Sequence, residues 1–162
     1  MSSVVDKDLG FFDLMKLFQD GGDVLVGIRE EDGSKHTVYK KPKKRAGKVS
    51  TATIAEYATY NEFGMGVDER SFLRSTLDEN REKYIERIGK NIGRAIDNGD
   101  TEVSHVLDDV GERAARDVQK KIRDLREPEN AESTIERKGS SNPLIDTGTM
   151  RNAISYEVRK KK

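Results

Sequence analysis

The chain has no cysteine and no tryptophan, only three prolines, and little apolar mass: 33% hydrophobic and 6% aromatic residues in 162. The missing cysteine excludes disulfides, thiol nucleophiles and thiolate metal sites together. No apolar run approaches the roughly 20 residues of a membrane-spanning helix. The N-terminus also lacks a basic-then-apolar signal pattern, so a soluble protein made in a reducing cytoplasm is expected. An excess of charge of one sign is absent as well. Lys plus Arg equals Asp plus Glu at 30 each, which removes any global electrostatic reason to bind nucleic acid or a membrane surface.

Catalytic patterns are also missing. His36 and His105 have no Cys or second His nearby in sequence and read as surface polar residues. No P-loop, dinucleotide fingerprint or nucleophile elbow occurs. Asp146-Thr147-Gly148 superficially matches the aspartic protease triplet, but that chemistry needs two carboxylates sharing a site and the triplet has no second copy. Glu56, Glu62, Asp68 and Glu69 cluster in sequence as a chain this acidic would by chance. The expectation is a protein with no enzyme activity, no cofactor and no metal.

What is present is charge, at 37% of residues, and strong local periodicity. One α+β domain over 1–162 is predicted, with a thin core whose stability is completed at subunit interfaces. Phe11, Leu14, Met15 and Phe18 fall at i, i+3, i+4, i+7 in an N-terminal helix within 1–22, ended by Gly21-Gly22. Asp23–Arg29 alternates as a strand through Val24, Val26 and Ile28. Glu31-Asp32-Gly33-Ser34 is a turn signal and His36–Lys40 a returning strand, so a hairpin is expected. A basic loop follows over 40–50, with Lys40, Lys41, Lys43, Lys44, Arg45 and Lys48 around Pro42 and Gly47.

Ile54, Ala55, Ala58 and Glu62 predict a helix over about 51–63, with Thr53 and Glu56 as a capping box and Gly64 as its stop. A long helix follows Ser71, its stripe made of Leu73, Leu77, Tyr84, Ile85, Ile88, Ile92 and Ile96. Gly89 and Gly93 lie within it, and their helix cost of about 1 kcal/mol each predicts close packing by another helix. Thr101 is the expected N-cap of a second long helix to about Arg126, with Val103, Val106, Leu107, Val110, Ala114, Val118, Ile122 and Leu125 buried, stopped ahead of Pro128. Residues 127–143 read as a polar loop, Thr147–Ala153 as one helical turn, Ile154–Arg159 as the last strand and 160–162 as a mobile tail. In the final joint, Asp146 is expected to accept backbone N–H groups and Gly148 to supply a conformation barred to side chains with a Cβ.

Two segments together resemble a known family. One is Ile54-Ala55-Glu56-Tyr57-Ala58-Thr59-Tyr60-Asn61-Glu62-Phe63-Gly64, followed by Arg70-Ser71-Phe72-Leu73-Arg74. The other is Ser133-Thr134-Ile135-Glu136-Arg137-Lys138-Gly139, continuing through Pro143-Leu144-Ile145-Asp146-Thr147-Gly148-Thr149-Met150-Arg151-Asn152-Ala153-Ile154. In order and spacing, over about 24–159, they are similar to tailed-phage neck and tail-completion proteins, the group with minor tail protein Z of lambda-like phages and the virion morphogenesis proteins of Mu-like phages. The loop Val67-Asp68-Glu69-Arg70-Ser71-Phe72 departs from that pattern, lacking the prolines the family often carries.

The resemblance implies a structural virion protein without catalysis, assembled in the host cytoplasm and located in the virion neck or tail. It implies a homo-oligomeric ring, commonly a hexamer, that completes or caps the tail and joins it to the head connector around the DNA path. The implied partners are other copies of itself, the remaining neck and connector proteins and the tail tube, with DNA in the lumen read without sequence specificity, and no membrane. A ring of this kind needs two different complementary surfaces on each subunit. Interface candidates are Phe63, Gly64, Arg70, Phe72, Arg74, Leu144, Asp146, Gly148 and Arg151. Phe63, Phe72 and Leu144 are expected to anchor loops on the core, and the three arginines to form inter-subunit or intra-loop ion pairs. The alternative is a DNA-binding accessory protein that uses the basic loop on phosphates; a small hydrolase would need a carboxylate-centred pocket that no motif marks.

Overall fold

A computed structural model describes Met15, Gln19 and residues 21–38, 51–100 and 102–161. The described elements are strand β1 (Gly22–Ile28), helix α1 (Glu30–Gly33), strands β2 (His36–Val38) and β3 (Thr51–Thr53), helices α2 (Ile54–Phe63), α3 (Arg74–Asn98), α4 (Val103–Asp124), α5 (Glu132–Lys138) and α6 (Thr149–Ala153), and strand β4 (Ile154–Lys160). The fold is mixed α+β. The predicted N-terminal helix falls outside the described residues except for Met15 and Gln19, both helical. The basic loop of 40–50 falls outside them entirely.

The expected hairpin of β1 with β2 does not form. β1 pairs antiparallel with β4, and β2 with β3, in two separate two-stranded sheets. The reason lies in the cross-strand pairs. The β1–β4 register sets Val24 against Val158, Val26 against Tyr156 and Ile28 against Ile154, three apolar pairs on one face. The His36-Thr37-Val38 strand could match only one of them. The stretch read as a turn is instead the single helical turn α1, with the Gly33 amide donating to Arg29 O at 2.7 Å. It carries the chain sideways to β2, and Gly33 is buried there because a Cβ would lie 3.2 Å from that of Ala55.

α4 lies across the apolar face of β1–β4 and also packs against α3 and α6. Val106, Val110, Ala114, Val118 and Ile122 are buried along it, Val118 and Ile122 completely, as the 3.6-residue stripe requires. Gly111 allows this close approach: a Cβ there would overlap the Tyr156 ring. The core divides into two clusters. One gathers Ile54, Ala58, Phe72, Ala115, Val118, Ile122, Leu144, Met150, Ala153 and Ile154; the other gathers Ala95, Val103, Val106 and Leu107, with Ile88, Ile92, Val24 and Val158 packed against it.

α3 departs from expectation. It stops at Gly99, in the left-handed region at φ 66°. Ile85 and Ile96 are exposed, and a Cβ on Gly89 or Gly93 would meet nothing within 4 Å. No described helix packs on the two glycines. The buried positions are Thr76, Asn91 and Ala95, because α4 covers an arc one position round from the isoleucine stripe. Asn91 holds that crossing by donating to Val106 O at 3.0 Å and Asp109 Oδ2 at 3.0 Å. The 127–143 loop contains the helix α5, closed by Gly139 at φ 70°; Ile135 is its only apolar residue, so no periodicity marked it. Finally, Lys160 ends β4 and bonds to Glu102, so that part of the predicted mobile tail belongs to the sheet.

Candidate functional site

The two segments that carry the family resemblance fold against each other. α2 starts with the predicted capping box: the Glu56 amide donates to Thr53 Oγ1 at 3.1 Å and the Thr53 amide to Glu56 Oε2 at 2.8 Å. It stops at Gly64, at φ 67°, a conformation open to glycine at no steric cost. Ile54, Ala58 and Glu62 stand one turn apart, so Glu62 occupies the third position of a buried stripe. It is 4% exposed.

Five donors converge on the Glu62 carboxylate. Oε2 accepts from the amides of Phe72 (2.8 Å) and Leu73 (2.9 Å). Oε1 accepts from the Arg74 amide (2.9 Å), Arg74 Nε (3.1 Å) and Ser71 Oγ (2.9 Å). These amides open α3, whose first turn has unpaired N–H groups and the positive end of the helix dipole; the cap of α3 is therefore supplied from α2. Burial raises the pKa of Glu62, but the amides of Leu73, Arg74 and Phe72 and the Ser71 hydroxyl together hold it below the usual carboxylate value.

Arg70 is the matching cation, 5% exposed. Its Nε donates to Pro128 O at 2.8 Å and one terminal nitrogen to Glu129 O at 2.8 Å. It thereby ties the loop after α2 to the chain leaving α4, nearly 60 residues later in sequence. Asn61, also buried, accepts from Arg70 through Oδ1 at 3.5 Å and takes the Arg70 amide on its carbonyl at 2.7 Å. Tyr57 Oη reaches Pro143 O at 3.4 Å. Phe72 and Leu144, each 2% exposed, belong to the same core cluster beneath.

The expected site residues take different places in the structure. Phe72 and Leu144 anchor the joint. Phe63 does not: it is 55% exposed, with the Arg74 guanidinium 4.6 Å above its ring. Arg70 and Arg74 make intra-loop contacts, Arg74 also with Glu69 at 2.9 Å. Arg151 donates to its neighbour, Asn152 Oδ1, at 2.8 Å. Gly148 has the expected positive φ, 78°. Asp146 is exposed and does not hold the turn; the amides of Leu144 and Ile145 are taken by Asn142 Oδ1 at 3.0 Å each. His105 is exposed and faces Asp100 at 2.9 Å. Lys40, Lys41, Lys43, Lys44, Arg45 and Lys48 lie outside the described residues.

Sequence reading passed over Glu62 as one carboxylate among many. The signal that marks it is an acid at i+8 of the Ile54–Ala58 stripe, since a charge on a buried face must be paired. Around the joint, Tyr60, Phe63, Met65 and Val67 are exposed, at 39%, 55%, 55% and 46%. These four apolar side chains project from the end of α2 and the loop after it. Beside them a groove of about 250 Å³ runs between α2 and the β1–β4 end, lined by Ile28, Ala55, Thr59, Phe63 and Leu73. No group of His, Cys, Asp and Glu suited to a metal ion occurs among the described residues, and none of their helices is long and apolar enough to cross a membrane. No family model, curated protein or solved structure matches the chain.

Proposed function

We propose that this chain is a structural subunit of a tailed-phage neck, a homo-oligomeric ring that completes the tail and joins it to the head connector around the DNA path. The observation that carries the reading is the joint itself. Its buried polar groups, Glu62, Arg70 and Asn61, are all consumed in fixing backbone, while its apolar side chains at 60–67 face outward. A site built this way presents a rigid shape to another protein. The loop that holds Phe63, Met65 and Val67 is one surface of the pair that a heterologous ring requires.

The burial of Arg70 and Phe72 changes which substitutions test this. Phe72→Ala and Arg70→Ala would weaken the fold along with any contact, so neither isolates assembly. Met65→Asp and Val67→Asp alter exposed positions, so they should melt like the parent and fail to assemble. Mass photometry on the purified protein, with and without tail tubes, reads the result. A parent that stays monomeric and ignores tail tubes overturns the proposal.

The second reading, a DNA-binding accessory protein, draws on one feature. The β2–β3 register pairs Val38 with Thr51, so the basic stretch joins the ends of a paired ribbon, a mount suited to phosphates. Neutralising Lys41, Lys43, Lys44 and Arg45 should then abolish a salt-sensitive DNA association, while assembly is unaffected.

A further inference from the structure

A second apolar surface lies away from the joint, on α3. α4 covers one side of this helix. The apolar arc continues past the covered part through Ile92 to Ile85 and Ile96, which are 57% and 47% exposed. Gly89 and Gly93 lie between them with open space above, so a partner could approach the α3 backbone closely. From Ile85 to Ile96 this face is about 16 Å long. Nearer the start of α3 the same side carries Asp78, Arg81 and Glu82, so the apolar face is bounded.

The sequence supplies one segment of matching size and pattern. Phe11, Leu14, Met15 and Phe18 repeat at helical spacing over about 10 Å. Met15 is helical and 41% exposed, an apolar side chain as open as the face on α3. The segment also leaves the fold at the right place. A Cβ on Gly22 would lie 2.8 Å from Leu107 and 3.7 Å from Val103, and these two share their cluster with Ile88, Ile92 and Ala95 of α3. Met15 and the α3 face are both exposed within one chain, which favours their meeting between chains.

We infer that the α3 face of Ile85, Gly89, Gly93 and Ile96 receives the N-terminal segment, residues 9–18, of a second copy of this chain. This deepens the self-assembly part of the proposed function and rests on it; the virion role does not enter. Phe or Leu side chains would fill the gap over Gly89 and Gly93, and the flanking isoleucines would close around them.

The cysteine-free sequence makes the test direct. A Met15→Cys chain is mixed with a Gly89→Cys chain and treated with a short bis-maleimide. The expected result is a mixed dimer several-fold stronger than that from an Asp13→Cys chain, whose position lies off the apolar pattern. In parallel, Ile85→Glu with Ile96→Glu should leave the melting temperature unchanged and remove oligomers seen by mass photometry. Oligomers that form without the 15–89 link, or that survive the double glutamate, overturn this surface and leave assembly intact. A link found only within single chains carrying both cysteines overturns the exchange between copies. A protein that is monomeric at every concentration overturns the assembly reading and this inference with it.

Discussion

Replacing Glu62 with Gln keeps the side-chain shape and removes the charge. In the parent, the two carboxylate oxygens accept five hydrogen bonds, three of them from the amides of Phe72, Leu73 and Arg74. The glutamine amide must place its NH2 against at least two donors, so those donors lose their partner inside the fold. Each bond to a charged group contributes about 1.5–3 kcal/mol. Because the five act as one unit, their losses do not add, and a cost of about 3 kcal/mol is expected. At about 2–4 °C per kcal/mol for a domain of this size, the melting temperature should fall by about 6–12 °C. The effect should also depend on pH. The folded-state pKa of Glu62 is lowered, so its contribution is full above the ordinary carboxylate value of 4.5 and disappears as pH falls through the folded value. The gap between parent and variant is therefore widest at neutral pH and closes in acid. Thermal melts from pH 7 down to pH 3 read both effects. A loss under about 1 kcal/mol at pH 7, or a gap that widens in acid, would refute the assignment of Glu62 as the cap of α3.

Other expectations follow from neighbouring features. Gly89→Ala and Gly93→Ala should each stabilise the monomer by about 1 kcal/mol in urea melts, since the new Cβ meets no atom and helix propensity alone acts; destabilisation would show that a contact exists there. Arg70→Ala should cost about 2–4 kcal/mol in the same assay, because it strands the Pro128 and Glu129 carbonyls and removes the tie between distant loops. Gly111→Ala should cost about 1–3 kcal/mol through overlap with the Tyr156 ring, and a second change, Tyr156→Val, should recover part of it.

The long helices were legible because each carries a continuous apolar stripe at a period of 3.6, buried along α4 and partly exposed on α3. Caps were legible for a similar reason: Thr53 with Glu56, and Gly64 after Phe63, act within four residues. The hairpin was misread because Val24, Val26 and Ile28 state only that a strand has an apolar face. Its partner was settled by a competition between His36–Val38 and Ile154–Lys160, more than 100 residues apart. Gly89 and Gly93 misled in the opposite sense, since a small residue on a helix predicts a close neighbour without saying whose. At the joint, the anchors Phe72 and Leu144 were readable as apolar residues in shaped loops. Arg70 and Asn142 were harder, because their partners are backbone carbonyls and amides, which any sequence possesses.

The pairing of β1 with β4 also sets a constraint on biosynthesis. A ribosome releases Gly22–Ile28 more than 120 residues before Ile154–Lys160, so the first strand waits through that stretch of translation for its mate. During that interval Val24, Val26 and Ile28 have no sheet to join, and a nascent chain stalled before Ile154 would carry them uncovered. Loss of Ile154–Lys160 would thus damage a strand more than 120 residues earlier in the polypeptide.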